Sequence, residues 1–283
     1  MAIRFPSWRT AAAALALLCV CASAPAAQTA QGVFIPSFWD PQRRLERPDI
    51  STLRVIRFVT DDEYPPFGFS GPDGLAGFNI DLARAICEEL KAACTIQARR
   101  FDTILDAVEG GEADAAIASI ANTPATRARV DFTAPYYRTP ARFIARSDAA
   151  MDDPQPETLA GAVVGVVAGT AHAAFLETFF PGVQRRDFDD LPALLASLRA
   201  GEVPLAFGDG VTLALWLNGD EGQCCAFRGG AYLDPAFFGP GVGVAVRKDN
   251  TALRRALDYA LARVAEQGKF TELYLKHFPV GFF

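Results

Sequence analysis

Residues 113–127 read ADAAIASIANTPATR, and this stretch decides the fold class. The run from Ala113 to Ile120 is almost wholly apolar, which predicts a buried strand. Thr123 and Pro124 predict a helix start, because threonine is a good N-cap and proline suits the first helical position. A buried strand that leads directly into a helix is the repeating unit of α/β proteins with parallel strands.

Strands and helices alternate on both sides of this stretch. Apolar runs predict strands at 53–59, 95–98, 163–167 and 203–207. Apolar residues at helical spacing predict helices at 79–91, 101–108, 171–180, 191–200, 251–264 and 270–277. Proline and glycine predict a loop at 61–67 and a turn at 71–74. We therefore predict an α/β fold.

The composition limits the possible functions. The chain has 283 residues, of which 51% are hydrophobic and 21% are charged, so it is not a disordered chain. The net charge is −6. This acidic balance argues against nucleic acid as the main partner, because phosphate binding needs clustered lysine and arginine.

The N-terminus has the pattern of an export signal. Arg4 and Arg9 precede an apolar run from Ala11 to Ala22, and Ala24-Pro25-Ala26 offers small residues for cleavage. A membrane anchor is the alternative, but the run is shorter than the roughly 20 residues that span a bilayer. We predict a cleaved signal peptide at 1–26, an N-terminal arm at 27–52 and a soluble periplasmic protein.

Four cysteines follow the predicted signal peptide. Cys87 lies on the apolar face of a predicted helix and Cys94 begins the strand that folds back beside it, so a disulfide between them is sterically reasonable. Metal ligation is the rival interpretation, but the chain has only two histidines, neither at zinc-motif spacing. For the adjacent Cys224 and Cys225, both a strained bridge and two free thiols remain open.

Two predicted helix starts could each hold an anion. One lies within Ser119 to Arg127 and the other at Gly169-Thr170, where a strand turns into a helix. The unpaired N–H groups of a helix N-terminus attract carboxylates and phosphates. Many α/β proteins have such turns without a ligand, so either one alone is weak evidence for a site.

A series of motifs resembles one protein family. From Leu53 onward the sequence is similar to the periplasmic solute-binding proteins that serve polar amino-acid ABC transporters. The motifs, in chain order, include Tyr64-Pro65-Pro66-Phe67, Gly77-Phe78-Asn79-Ile80-Asp81, Val130-Asp131-Phe132-Thr133, Pro135-Tyr136-Tyr137, Val163-Val164-Gly165-Val166-Val167 and Gly243-Val244-Ala245-Val246-Arg247-Lys248. The spacing of Cys87 and Cys94 resembles the branch that binds lysine, arginine, ornithine and histidine.

This resemblance implies a type II periplasmic binding protein fold. Two discontinuous α/β lobes are then joined by a two-strand hinge, and the ligand binds between lobes that close by hinge bending. The implied first lobe comprises 53–138 and 243–283, and the second comprises 142–239. The hinge segments are 139–142 and 240–242.

The resemblance also implies a ligand site. Asp61 matches the acid that pairs with the side-chain cation of a basic ligand, although an exposed acidic loop is the alternative. Tyr64 matches the aromatic residue that covers the ligand side chain. Phe101 matches a second aromatic residue opposite it, although it could instead be a core residue at a helix start.

The remaining matches concern the two ends of an amino acid. Ser119 and Thr170 match groups that contact the ligand carboxylate, and Asp209 matches the acid that holds the α-ammonium. The carboxylate-clamping arginine of the family falls on Thr126 here, with Arg127 one position later. One residue is about 100° of helix rotation, so Arg127 reaches the ligand only if its long side chain compensates.

The resemblance implies a receptor that captures a small polar solute and delivers it to a membrane permease. The implied solute is an amino acid, with the basic amino acids as one candidate class. No cofactor, metal site or catalytic residue is expected, and the chain is expected to be a monomer. One alternative is a dehydratase-like periplasmic enzyme, in which His172 is the one candidate for acid–base chemistry. The other is a sensory or accessory binding module.

Overall fold

The computed structural model describes residues 48–49, 53–149 and 153–283. The predicted signal peptide 1–26 lies outside the described residues, and so does the predicted arm 27–52 except for its residues 48 and 49. In the described part, strands and helices alternate along the chain, so the α/β prediction is confirmed. No helix in these ranges is long and apolar enough to cross a membrane.

The described strands, in chain order, are β1 (Val55–Thr60), β2 (Glu63–Tyr64), β3 (Gly68–Gly71), β4 (Gly74–Ala76), β5 (Ala93–Ala98), β6 (Ala115–Ala116), β7 (Val130–Phe132), β8 (Ala141–Arg146), β9 (Val163–Val167), β10 (Gln184–Phe188), β11 (Leu205–Asp209), β12 (Cys225–Tyr232) and β13 (Ala245–Arg247). The described helices are α1 (Phe78–Leu90), α2 (Phe101–Glu109), α3 (Pro124–Arg129), α4 (Ala171–Phe179), α5 (Leu191–Ala200), α6 (Gly210–Asn218), α7 (Pro235–Phe238), α8 (Thr251–Glu266) and α9 (Lys269–His277).

Two five-stranded sheets organise the structure. The first sheet has the order β5-β1-β6-β13-β7, and the second has the order β10-β9-β11-β8-β12. In the first sheet β5, β1 and β6 run parallel, and in the second β10, β9 and β11 do. Strands β2, β3 and β4 form a small antiparallel sheet, in which β2 lies within the predicted loop at 61–67 and β3 and β4 flank the predicted turn at 71–74.

Each five-stranded sheet has one antiparallel strand where the chain crosses between the sheets. Strand β8 is antiparallel to both of its neighbours, and so is β13. Just before these strands the two crossing segments pair with each other. Val242 accepts a hydrogen bond from the N–H of Tyr136 at 2.9 Å and donates its own to the carbonyl of Tyr137 at 3.0 Å.

The first sheet is covered by α1, α8 and α9, which share one apolar core with it. Asp81 of α1 ties this layer to α9, because its Oδ2 accepts hydrogen bonds from Lys276 at 2.7 Å and His277 at 2.8 Å. Burial raises the pKa of Asp81, but the bonds from Lys276 and His277 outweigh it and leave the pKa below its ordinary value. Phe282, only 1% exposed, donates its N–H to the Tyr274 hydroxyl at 2.8 Å.

Helix α1 is also tied to strand β5 by a covalent bond. Cys87 and Cys94 form a disulfide, with their Cα atoms 6.2 Å apart, so this predicted pairing is confirmed. Cys224 and Cys225 are free thiols. Burial, followed by the neighbouring Cys224, raises the pKa of Cys225 to about 12.

The apolar run Ala113–Ile120 is only partly a strand. Its residues are largely buried, as predicted, but only Ala115–Ala116 pair as β6. Ser119 adopts a positive φ of 55°, which ends any extended run and turns the chain toward α3. The predicted strand at 203–207 lies two residues later, at Leu205–Asp209.

Candidate ligand-binding site

Most of the predicted site residues follow the ends of parallel strands. In the first sheet, Asp61 follows β1, Phe101 follows β5 and Ser119 follows β6. Carboxyl ends of parallel strands meet at one edge of a sheet, so these three residues share an edge. In the second sheet, Thr170 follows β9 and Asp209 ends β11, and they share an edge for the same reason. Ligands of open α/β sheets bind at such edges.

Tyr64 is packed beside the first sheet and responds to a charge of the second. Its ring stacks on Phe67 with centroids 5.1 Å apart, and Phe67 stacks on Tyr137 at the same spacing. One face of the Tyr64 ring is thus covered by Phe67, yet the residue remains 43% exposed. Burial raises the pKa of Tyr64, and the negative charge of Asp209 raises it further. The charge of the predicted acid of the second sheet therefore acts on the predicted aromatic residue beside the first sheet.

The two carboxylate oxygens of Asp209 have different surroundings. Its Oδ1 caps α6 by accepting hydrogen bonds from the N–H of Thr212 at 2.7 Å and from its hydroxyl at 2.8 Å. Among the described residues none donates to Oδ2, and no lysine or arginine pairs with the carboxylate. The half-buried group keeps an acceptor available for a cation.

Asp61 also carries an uncompensated charge. Its Oδ1 accepts the N–H of Glu63 at 3.2 Å, and in the described ranges it has no lysine or arginine partner. The adjacent Asp62 differs, because its Oδ2 is occupied by the Ser70 hydroxyl at 2.7 Å. Within the acidic loop, Asp61 is thus less engaged than Asp62.

Ser119 is held by a buried polar network that sequence reasoning missed. Asn79 donates from Nδ2 to the Ser119 hydroxyl oxygen at 3.1 Å and accepts from the Tyr136 hydroxyl at 2.9 Å. Burial raises the pKa of both Tyr136 and Tyr137, which stay protonated. The signal was present in the quoted motifs around Asn79 and Tyr136, because a buried amide and phenol need partners.

Thr170 and Phe101 differ in how much they can offer a ligand. The Thr170 hydroxyl caps α4, accepting from the N–H of Ala173 at 3.2 Å and donating to the carbonyl of Val167 at 2.8 Å. Further contact from this turn would come from the first N–H groups of α4. Phe101 is 55% exposed, so it is not the core residue of the alternative interpretation.

The side chain of Arg127 makes no hydrogen bond or ion pair with the residues that the structure describes. Thr123 and Thr126 form a capping box at the start of α3, and no residue of this short helix is buried. Arg127 is exposed and has no ion pair within the described ranges, whereas Arg129 pairs with Asp106 and Glu109. Arg127 remains a predicted ligand contact.

Two carboxylates and exposed aromatic rings suit a cationic group. A cation can pair with a carboxylate and be attracted to the face of a tyrosine or phenylalanine ring. Hydroxyl groups and helix N–H groups at the same edges suit a polar or anionic group. The arrangement can therefore bind a small zwitterion or cation without covalent chemistry.

Comparisons with known proteins agree with this geometry. The sequence model of the family described as bacterial extracellular solute-binding proteins, family 3, matches residues 56–280. The L-arginine-binding protein of Pseudomonas aeruginosa is 33% identical over 238 residues, which cover 83% of this chain and 92% of that protein. The histidine-binding periplasmic protein of Escherichia coli is 30% identical over 227 residues, covering 79% and 87%.

A solved structure extends the likeness to the fold. The L-cystine solute receptor of Neisseria gonorrhoeae, in its unliganded open conformation, aligns with a TM-score of 0.70. The alignment covers 81% of this chain and 94% of the receptor, at 18% identity. At that identity the likeness concerns the fold.

Proposed function

Because the chain belongs to family 3 of the bacterial extracellular solute-binding proteins, we propose that it captures an amino acid with a cationic side chain. The family and the relatives are binding proteins rather than enzymes. Relatives named for arginine and histidine support the cationic class. We propose that this chain likewise has no catalytic activity, which speaks against the dehydratase-like alternative.

One observation carries the proposal. Asp61 at the edge of the first sheet and Asp209 at the edge of the second both lack a lysine or arginine partner among the described residues, so the site offers one carboxylate for the α-ammonium and a second for a side-chain cation. A half-buried carboxylate is stabilised by a cation that it can bind. An ammonium or guanidinium group of the ligand would supply the positive charge that balances the carboxylate.

We assign the predicted residues to the two ends of the ligand. Asp61 pairs with the side-chain cation, and Tyr64 and Phe101 cover its apolar stem. Asp209 holds the α-ammonium. Ser119, together with Thr170 and the first turn of α4, contacts the carboxylate. Arg127, exposed on α3, adds a solvent-screened attraction to that carboxylate.

We propose the same lobes that the resemblance implies. Residues 53–138 and 243–283 form the first lobe, 142–239 form the second, and 139–142 and 240–242 form the hinge. The pairing of Val242 with Tyr136 and Tyr137 supports a hinge at this place. Closure of the lobes around the solute would then present the protein, a periplasmic monomer, to the permease of an ABC transporter.

A thermal-shift screen tests the proposal. The mature chain, beginning after residue 26, is melted with each common amino acid and with small carboxylates. A ligand that binds only the native state raises the melting temperature by an amount that grows with the logarithm of its concentration divided by its dissociation constant. We expect shifts with arginine, lysine or histidine. Stabilisation by another solute class alone, with no response to these three, would refute the cationic assignment.

A further inference from the structure

His172 lies at the candidate ligand-binding site but has no role in the function proposed above. It is the second residue of α4, two positions after the Thr170 cap, at the sheet edge that also carries Asp209. Its side chain is half-buried. The imidazole is therefore at the same strand ends as two proposed ligand contacts.

Aromatic packing fixes the orientation of the imidazole. The ring stacks on Phe238 of α7, with centroids 5.2 Å apart and planes inclined by 23°. The edge of the Phe207 ring contacts it from β11, at 6.0 Å and 75°. Such pairs add about 0.5–1.5 kcal/mol beyond the burial of area. Within the described ranges no hydrogen bond occupies either ring nitrogen, so the ring is held by apolar contacts while its polar atoms stay available.

The charges around His172 come from few groups. Burial lowers its pKa, and the charge of Asp209 opposes that shift without overcoming it. Two further carboxylates lie on the helices packed here. Asp234 at the start of α7 accepts the N–H of Ala236, and Glu177 of α4 pairs with Arg185. Asp209 is the charged group that acts on the imidazole.

We propose that His172 is a specificity-determining residue of the ligand site, where its uncharged imidazole admits a cationic solute beside Asp209 and its protonated form excludes one. The inference rests on the proposed function, because it needs a cationic ligand in this cleft. At neutral pH the imidazole donates one hydrogen bond to the bound solute or accepts one from it. On acidification the imidazolium becomes the counter-ion of Asp209 and competes with the ligand for that carboxylate.

The size of the effect follows from proton linkage. If only the uncharged form binds, the dissociation constant rises as the imidazole is protonated. For an unshifted histidine pKa of about 6.5, the rise between pH 7.5 and pH 5.0 is roughly thirtyfold. Because burial lowers the pKa of His172, thirtyfold is a ceiling, and we expect a smaller but measurable loss of affinity.

The test uses binding calorimetry at pH 7.5 and pH 5.0 with arginine and lysine, whose side chains stay charged throughout. The intact mature chain is compared with His172→Gln, which keeps a neutral donor and acceptor but cannot titrate. The matched control is His277→Gln, since the chain has two histidines and His277 is bound to Asp81. We expect His172→Gln to weaken binding by no more than about tenfold at pH 7.5, since glutamine offers a neutral hydrogen bond from a slightly different position, and to abolish the pH dependence. His277→Gln should retain it.

The outcomes separate the two proposals. A wild-type dissociation constant that does not change with pH, or a pH dependence that persists in His172→Gln, overturns the role of His172 and leaves the proposed function intact. Failure of both arginine and lysine to bind at pH 7.5 overturns the proposed function and this inference with it. Imidazole resonances give a second readout, because the His172 signal should shift when arginine is added to the wild type. A signal that does not move when arginine binds would also refute the contact.

Discussion

Replacing Asp209 by asparagine should abolish tight ligand binding while leaving the fold intact. The carboxylate caps α6 through Oδ1, which accepts the N–H of Thr212 at 2.7 Å. Asparagine is as good an N-cap as aspartate, so Asp209→Asn keeps the cap and removes the charge. The stability lost should be limited to the charge–dipole contribution at the helix start, about 0.3–1 kcal/mol.

The loss of affinity should be much larger. A hydrogen bond to a charged group contributes about 1.5–3 kcal/mol. Since about 1.4 kcal/mol corresponds to a tenfold change in the dissociation constant, we expect binding to weaken roughly 10- to 150-fold. Calorimetric titration with arginine or lysine measures this change, and urea denaturation measures the stability.

Asp190→Asn is the matched control for this substitution. Asp190 caps α5 in the same way, its Oδ1 accepting the N–H of Ala193 at 2.8 Å, but it is not among the predicted site residues. Asp190→Asn should therefore lose a similar small amount of stability and no affinity. Undiminished binding by Asp209→Asn, or equal losses of affinity in both variants, would remove Asp209 from the site.

Three further predictions concern the first sheet and its helices. Phe282→Ala should cost about 3–5 kcal/mol of unfolding free energy in urea, because it empties a site that is only 1% exposed. Asp81→Asn should lower stability at pH 7. The pKa of Asp81 lies below its ordinary value, so its contribution to stability is present above about pH 4 and is lost as the pH falls through the pKa of the folded protein. The unfolding free energy of the variant should therefore fall less steeply than that of the wild type as the pH is lowered. Replacing both Cys87 and Cys94 by serine should lower the unfolding free energy by about 2.5 kcal/mol, the loop entropy expected for cysteines separated by 7 residues. The variant should have a lower denaturation midpoint, and a reducing agent should no longer change that midpoint.

Each of these variants has a control in the same chain. Phe179 is 43% exposed and packs against Phe175 and Phe237, so Phe179→Ala should cost clearly less than Phe282→Ala. Asp102→Asn removes an exposed ion pair with Arg100 and should change the stability at pH 7 by no more than about 1 kcal/mol. Variants of Phe282 or Asp81 that behave like these controls would contradict the packing described here. A reduced wild type as stable as the oxidised one would contradict the contribution of the disulfide.

The elements that sequence could predict are those with a regular apolar pattern. Helix α5 occupies Leu191–Ala200 as predicted, because Asp190 caps it and its apolar residues recur at helical spacing. Strand β10, Gln184–Phe188, has no apolar pattern, because it is a mostly exposed edge strand held by its ladder with β9. Helix α6 contains apolar residues on several faces, so no amphipathic period marks it.

The site could be predicted residue by residue but not as an arrangement. The resemblance named Asp209 and Tyr64 in separate motifs, whereas their interaction depends on how the two sheets meet. The buried bond between Asn79 and Ser119 spans 40 residues of sequence, so no local pattern could reveal it. The consequence of placing threonine at position 126 was also hidden, because its hydroxyl completes a capping box with Thr123.

The central claim is that two carboxylates, Asp61 and Asp209, select a cationic solute between the two sheets. Calorimetric titration of the mature chain with arginine and with citrulline, its uncharged analogue of nearly equal shape, tests this most directly. We predict saturable binding of one arginine per chain and at least tenfold weaker binding of citrulline at pH 7.5, because citrulline leaves one carboxylate without its counter-charge. Equal affinities for the two compounds, or binding of citrulline alone, would contradict the account.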